Sequence, residues 1–300
     1  VSSGAPVLVS VILPTYNRER LVLEAVASVL EQTLADFELL VVDDGSTDGT
    51  EKAIRDRFGA DPRMVYLRKR NGGTATARNH GLERARGDFV AFLDSDDRFL
   101  PEYLAEQVRC LRAHPEATLS VCDARYEGAW GRDAPTMFQD RQFKPPRSMQ
   151  AMLEGAWAIP SCMTFRGEAI RPLRFQPSYR YSEDTEFLFR FFAAGNASVL
   201  NAAVLTVYRK HDGSNGQAQK IDQADRMQED MLRMMEAYAS YAADPRLHRE
   251  RIFAKRRNLA KRLVERGRWR DARPHLWGWV KARPSSTRAL RWWVRSLFSR

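Results

Sequence analysis

Only three cysteines occur in 300 residues, Cys110, Cys122 and Cys162, with no CxxC pair and no histidine beside them. That scarcity excludes a disulfide framework, argues against a structural zinc site and fits a reducing compartment. No run of about 18 apolar residues is present, which removes the simplest form of membrane-spanning helix. The first residues lack a basic stretch followed by an apolar one, so no secretory signal is expected. Internal repeats and low-complexity segments are also missing. What is there, 44% hydrophobic and 29% charged residues, is the composition of a globular chain with room for a sizeable core.

Charge is spread unevenly. The formal net charge is +10, yet Arg246 to Arg300 holds 18 Lys and Arg against 3 acids, leaving 30 against 35 elsewhere. The same stretch contains five of the seven tryptophans, Trp269, Trp277, Trp279, Trp292 and Trp293. It is a compositionally separate region.

Val7 to Leu13 reads as a buried strand, rich in β-branched residues and closed by Pro14. Asn17 is a candidate cap for the helical spacing of Val22, Val26, Val29 and Leu30. A second strand, Glu38 to Val42, runs into Asp43-Asp44-Gly45-Ser46, and a helix is expected over Thr50 to Phe58. Met64 to Leu67 suggests a third strand, Asn71-Gly72-Gly73 a break, and Thr74 to Arg86 a helix. The fourth strand, Phe89 to Leu93, ends in Asp94-Ser95-Asp96-Asp97.

Strands alternating with helices at this interval predict an α/β fold with a mostly parallel sheet. Ligands of such sheets gather beyond the strands' carboxyl ends, so the loops at Pro14, Asp43 and Asp94 should converge. Crowded carboxylates repel one another and hold either a proton or a cation, and oxygen ligands suit Mg2+ or Mn2+. The competing reading is a solvated turn that caps a helix starting near Pro101. Capping explains any single loop but less readily the acid pairs in two of them.

Further on, Glu127 to Met149 reads as a long surface loop. Ser182-Glu183-Asp184-Thr185-Glu186 opens an apolar helical run, and Val199 to Arg209 reads as a late strand. Residues 212–225 are expected to be a polar lid or a linker. Met227, Met231, Met234 and Met235 form a packing stripe on a helix over 226–242. Ala272, His275, Leu276, Trp279 and Val280 share one helical face. Leu290, Trp293, Val294 and Leu297 share another, with Arg288, Arg291 and Arg295 opposite. Three roles stay open for this tail: a hairpin that packs on itself, a subunit interface in an oligomer, or a foot on an anionic membrane surface. No specific nucleic-acid reader motif accompanies the basic residues.

Five segments carry a family resemblance: Val9 to Asn17 (VSVILPTYN), Val41 to Asp48 (VVDDGSTD), Ala77-Arg78-Asn79-His80-Gly81, Asp94-Ser95-Asp96-Asp97, and Glu183-Asp184. In order and spacing the chain resembles the inverting nucleotide-sugar glycosyltransferases of family 2, over roughly residues 7–211. The resemblance implies a GT-A type, Rossmann-like nucleotide-binding domain with a C-terminal helical region. Its catalytic domain would cover 1–225, with a nucleotide half at about 1–97 and an acceptor half at about 98–225, followed by the basic helical region at 226–300. Pro14, Thr15 and Tyr16 would line the nucleotide pocket, and Asp44 would accept a hydrogen bond from the base edge. Arg78 would lie near the diphosphate, where its always-charged fork suits phosphate oxygens. Asp94, Ser95 and Asp96 match the DxD segment, Asp94 toward ribose and Asp96 toward Mn2+ or Mg2+, with Asp97 alongside as a further ligand.

Asp184 matches the family's catalytic base, supported by Glu183, although acids at a helix N-terminus also serve as caps. His211 falls where the family's closing histidine approaches the metal. The implied activity is metal-dependent, inverting transfer from a nucleotide-diphospho-sugar, expected to be a UDP-sugar. Its acceptor would be a hydroxyl of a cell-envelope or extracellular polysaccharide or of a lipid-linked glycan. The implied place is the cytoplasm, peripherally on the inner face of the membrane. Two alternatives compete with this reading. A nucleotidyltransferase acting on sugar phosphates would want a Gly-rich basic loop where this chain has Pro14-Thr15-Tyr16-Asn17. A silent nucleotide-sugar or glycan-binding module would have no need of both Asp96 and Asp184.

Overall fold

The structure is a computed structural model that describes residues 7–128, 135–210 and 217–299. Backbone contacts divide the chain into two compact units, Val1–Gly213 and Ser214–Arg300.

In the first unit, β1 (Val9–Thr15), α1 (Leu21–Leu30), β2 (Phe37–Asp43), α2 (Thr50–Phe58), β3 (Met64–Arg68), α3 (Thr74–Leu82) and β4 (Phe89–Phe92) alternate as the sequence predicts. Every residue of β1, β2 and β4 is buried, as near-continuous Val, Leu, Ile and Phe runs require when both faces of a sheet are covered. The unit continues with β5 (Arg98–Phe99), α4 (Tyr103–Ala113), β6 (Leu119–Gly128), α5 (Met149–Leu153), β7 (Met163–Arg166), α6 (Gly167–Ile170), α7 (Glu183–Ala193) and β8 (Ser198–Lys210). All eight strands form one sheet in the order β3-β2-β1-β4-β7-β6-β8-β5. The β3, β2, β1 and β4 pairings are parallel, β7 runs antiparallel between β4 and β6, and β6 and β8 pair in parallel. The carboxyl ends of β1, β2 and β4 therefore lie side by side.

Two local expectations differ from the structure. Asn17 does not cap α1, which starts at Leu21 after Arg20. It adopts φ +49° and ties two loops together, its N–H on Ser46 Oγ at 2.9 Å and its Oδ1 accepting Thr47 N–H at 2.8 Å. The acids after β4 do not cap a helix either, because β5 intervenes before α4.

At the opposite end of the sheet, Ser10 Oγ donates to Glu38 Oε1 at 2.6 Å and accepts N–H groups from Arg86 and Gly87 at 3.0 and 2.8 Å. Arg86 also pairs with Glu38 Oε2 at 2.7 Å. This knot sets the register of β4 beside β1.

The second unit contains α8 (Gln217–Ala237), α9 (Pro245–Glu265), α10 (Trp269–Ala282) and α11 (Thr287–Leu297). Residues 217–225, read from the sequence as lid or linker, are thus helical, and α9 carries no clear apolar period to announce it. A core of Leu259, Leu263, Ala272, Leu276, Trp279 and Ala289 holds α9, α10 and α11 together. Buried Asp225 on α8 faces Arg262, Arg266 and Arg268, with Arg266 and Arg268 bonding one carboxylate oxygen. Part of the tail's basicity is consumed internally in this way. No helix among the described residues is long and apolar enough to cross a membrane.

Gly87 offers a direct check on the knot. A Cβ there would lie 2.4 Å from Ser10 N, against backbone that has nowhere to go. Gly87→Ala is expected to destabilise the chain by about 2 kcal/mol or more, as overpacking does. Urea denaturation followed by circular dichroism would measure it, and an unchanged midpoint would contradict the close approach.

Candidate active site

The three loops leaving β1, β2 and β4 meet as the sheet order demands. Thr15 O accepts Asp44 N–H at 2.9 Å, which locks the first loop to the second. Asp43 accepts Ser46 N–H at 2.8 Å on one oxygen and the Tyr66 hydroxyl on the other, so it braces its own turn. Asp44 is 3% exposed. Its carboxylate accepts Lys69 Nζ at 2.6 Å, Gly72 N–H at 3.0 Å and Gly73 N–H at 2.6 Å. Gly73 has φ +87°, a conformation that lets consecutive amides point at one acid. The loop that the sequence marks only as a break, Asn71-Gly72-Gly73, is folded around Asp44.

Asp94 to Asp97 form a tight turn closed by Asp97 N–H on Asp94 O at 3.0 Å. Asp94, Ser95 and Asp96 are half-buried. Asp96 pairs with Arg18 of the β1–α1 loop at 3.6 Å. Asp97 differs from the expected ligand: it is 1% exposed, and both of its carboxylate oxygens are engaged within the protein. One oxygen accepts the Ser161 hydroxyl at 2.6 Å and the other Arg209 N–H at 3.0 Å. Burial, with the charges of Asp94 and Asp96, raises its pKa well above the usual carboxylate range. Asp97 is a brace. Ser161, which no motif announces, also accepts Asp94 N–H at 3.1 Å and so holds the turn from both ends.

Arg78 on α3 joins this turn to α7. It is 3% exposed, and its Nη2 donates to Asp94 Oδ1 at 2.7 Å while Nη1 donates to Glu183 Oε1 at 3.0 Å. The guanidinium lies over the Phe175 ring, 5.3 Å from its centroid. Burial opposes its charge, but the carboxylates of Asp94, Glu183 and Asp184 outweigh that and hold the pKa above the ordinary arginine range. Ser182 is the residue before α7, and no side-chain cap bond forms there. Asp184 instead accepts Thr185 N–H at 2.6 Å.

Burial lifts the Glu183 carboxyl from 4.5 to about 7, against the pull of Arg78. The same contest leaves Asp184 raised. A raised carboxylate is a better proton acceptor once ionised, which suits a general base.

A cleft of about 300 Å³ is lined by Asn71 to Ala75, Pro177, Arg180 and Glu183. Asp44 fixes one of its walls through Gly72 and Gly73, and Glu183 of α7 stands on another. Pro14 and Thr15 are buried at the end of β1, and Tyr16 is 45% exposed. Thr15 Oγ1 and Arg78 Nε are buried without a hydrogen-bond partner among the described residues. His211 lies outside the described residues. No group of three or more His, Cys, Asp and Glu arranged to hold a metal ion occurs among the described residues. Asp94 and Asp96 on one turn fit a different arrangement, in which a hard cation takes one or two carboxylates and completes its shell with phosphate oxygens.

The profile described as Glycosyl transferase family 2 matches residues 10–174. An uncharacterized glycosyltransferase of Rickettsia felis is 46% identical over 101 residues, 34% of this chain and 17% of that protein. A provisionally named teichuronic acid biosynthesis glycosyltransferase of Bacillus subtilis, TuaG, is 47% identical over 103 residues, 34% of this chain and 40% of its own length. These matches span well under two thirds of either relative. Among solved structures, S. aureus TarS 1–349 in complex with UDP superposes with TM-score 0.64 at 20% identity, covering 92% of this chain and 81% of that one. The mannosyltransferase PcManGT of Pyrobaculum calidifontis, in complex with GDP-Man and Mn2+, gives TM-score 0.62 at 22% identity, covering 98% and 82%. These likenesses establish the GT-A type fold.

Glu183 supplies a pH test. Its folded-state pKa is raised, so the folded chain binds the proton more tightly than the unfolded chain, and stability falls as pH rises from about 4.5 through about 7. Glu183→Gln is expected to flatten that part of the profile. Urea midpoints between pH 4.5 and 8 would show it, and an identical slope in the variant would contradict the assignment.

Proposed function

The chain belongs to glycosyl transferase family 2, and from that premise we propose that it is a metal-dependent, inverting transferase using a UDP-sugar donor. The single observation that carries the reading is Arg78, which links the acids of the Asp94 turn to the acids of α7 across one site. UDP as the carrier is supported by the TarS complexes with UDP and UDP-GlcNAc, while the PcManGT complex holds GDP-Man.

In this reading Pro14, Thr15, Tyr16 and Asp44 receive the nucleoside, with the Thr15 hydroxyl gaining the partner it lacks. Asp94 and Ser95 orient the ribose side, and Asp96 would hold Mn2+ or Mg2+. That cation, when bound, supplies charge neutralisation and Lewis acidity at the leaving diphosphate. Arg78 adds a fixed positive charge from the protein itself. Asp184 takes the proton from the acceptor hydroxyl as its oxygen attacks the anomeric carbon, opposite the departing nucleotide, so configuration inverts. Glu183 keeps Arg78 in register and shares the local negative charge.

The acceptor we propose is a hydroxyl of an envelope polysaccharide or lipid-linked glycan, in keeping with the name of TuaG, with the enzyme working peripherally at the inner face of the membrane. His211 remains a proposed neighbour of the metal.

Asp184→Asn is expected to lower turnover by about 10²-fold or more while leaving nucleotide affinity nearly unchanged, since a general base contributes about that much. Normal turnover would place the base elsewhere. Asp96→Asn should weaken Mn2+-dependent nucleotide binding, read by calorimetry with UDP at fixed Mn2+; unchanged affinity would remove Asp96 from the metal site. In a thermal-shift panel of nucleotide-sugars with Mn2+, the true donor at 100 times its dissociation constant should stabilise the chain by about 2.7 kcal/mol. A flat panel would count against the donor reading.

A further inference from the structure

The last helix faces two ways. Ala289 and Ser296 are fully buried, and Trp292 and Trp293 pack beside them against the core of the second unit. The apolar stripe anticipated from the sequence, Leu290, Val294 and Leu297, is therefore not the packing face. These residues recur at i, i+4 and i+7, so they form one outward line along α11, and they are 45%, 41% and 44% exposed. Trp277 of α10, 41% exposed, stacks on Trp293 at 4.8 Å and carries the apolar surface across to the neighbouring helix.

The helix that carries this line is basic as well. Arg288, Arg291 and Arg295 project from the same helix, and none has a carboxylate partner among the described residues. Arg295 lies over the Trp269 ring at 4.6 Å and Arg288 over the Trp292 ring at 5.9 Å. By contrast, Arg262, Arg266 and Arg268 spend their charge on Asp225 inside the unit. Arg288, Arg291 and Arg295 are all exposed, and at about 100° per residue they stand round the helix from the leucine line, Arg291 nearest to it.

We propose that this face of α11, extended by Trp277, is a docking surface for an anionic phospholipid bilayer. Exposed aliphatic side chains bordered by tryptophan and unpaired arginine match the boundary between acyl chains and negative headgroups. A water-facing surface helix has no use for the line of Leu290, Val294 and Leu297, and a protein partner would need matching acids that a lipid headgroup already supplies. The proposal deepens the peripheral placement proposed above, and its test is read apart from sugar transfer.

The test is sedimentation of the full chain with vesicles of phosphatidylglycerol and phosphatidylcholine, against vesicles of phosphatidylcholine alone. Binding is expected only with the anionic lipid, weakening with added salt and accompanied by a blue shift of tryptophan emission. Arg288→Gln, Arg291→Gln and Arg295→Gln together should lower the partition coefficient at least about tenfold, since each basic residue near the surface adds attraction. Leu290→Gln with Leu297→Gln should lower it as well. Donor hydrolysis in lipid-free solution should be unchanged in both variants, so loss of transfer and loss of lipid binding are separately visible. Wild-type protein that stays in the supernatant, or variants that partition like wild type, would overturn the proposal. So would Leu290→Gln with Leu297→Gln changing the sedimentation coefficient without changing lipid binding, because the face would then join two copies of the chain.

Discussion

A buried arginine surrounded by carboxylates is the constraint on which the site depends. Arg78 sits under the cleft with 3% of its surface exposed, and such a charge persists there only because Asp94 and Glu183 bond it from opposite sides. The converse also holds. Glu183 and Asp184, raised by burial, would be raised further without the guanidinium between them and Asp94. Four ionisable groups from three elements thus settle one another's protonation. The turn after β4 and the start of α7 are held in register by charge as much as by packing.

The strand and helix order of the first half was legible because the physics there is local. Continuous apolar runs end in Asp, Asn and Gly, and parallel strands must be buried on both faces. Thr50 to Phe58 and Phe89 onward required little more than that. The interior of the site was less legible. Asp97 looks like a ligand in the sequence because it follows Asp96, but burial and two hydrogen bonds convert it into a brace. Ser161 and Lys69 act on Asp94, Asp97 and Asp44 from distant parts of the chain, and nothing in their immediate sequence announces it. The grouping of Asp44, Asp94 and Asp184 into one functional set came from the family resemblance, not from spacing. The bounds of α9 within the basic helical region were not legible because basic residues interrupt its apolar period. On α11 the pattern was visible but its direction was not: small and aromatic residues pack inward while the leucines face out.

The two units use the same residue type for different ends. In the first, arginine joins acids from separate elements: Arg78 links Asp94 to Glu183, Arg86 bonds Glu38, and Arg209 pairs with Glu24 and Glu127. In the second, one set of arginines neutralises Asp225 and another stands over tryptophan rings at the surface. The strongly basic composition of the tail therefore overstates what it offers to solvent.

The bond between Arg78 and Glu183 joins residues 105 positions apart. A chain emerging from synthesis completes β1 to β4 long before α7 exists, and until then Arg78 has only Asp94 for company. Long loop closures of this kind are slow steps in folding. Joining of Arg78 to α7 is thereby placed late on the folding route, so a truncated or stalled product holds the motifs of the first half yet lacks the acid that balances Arg78 from α7.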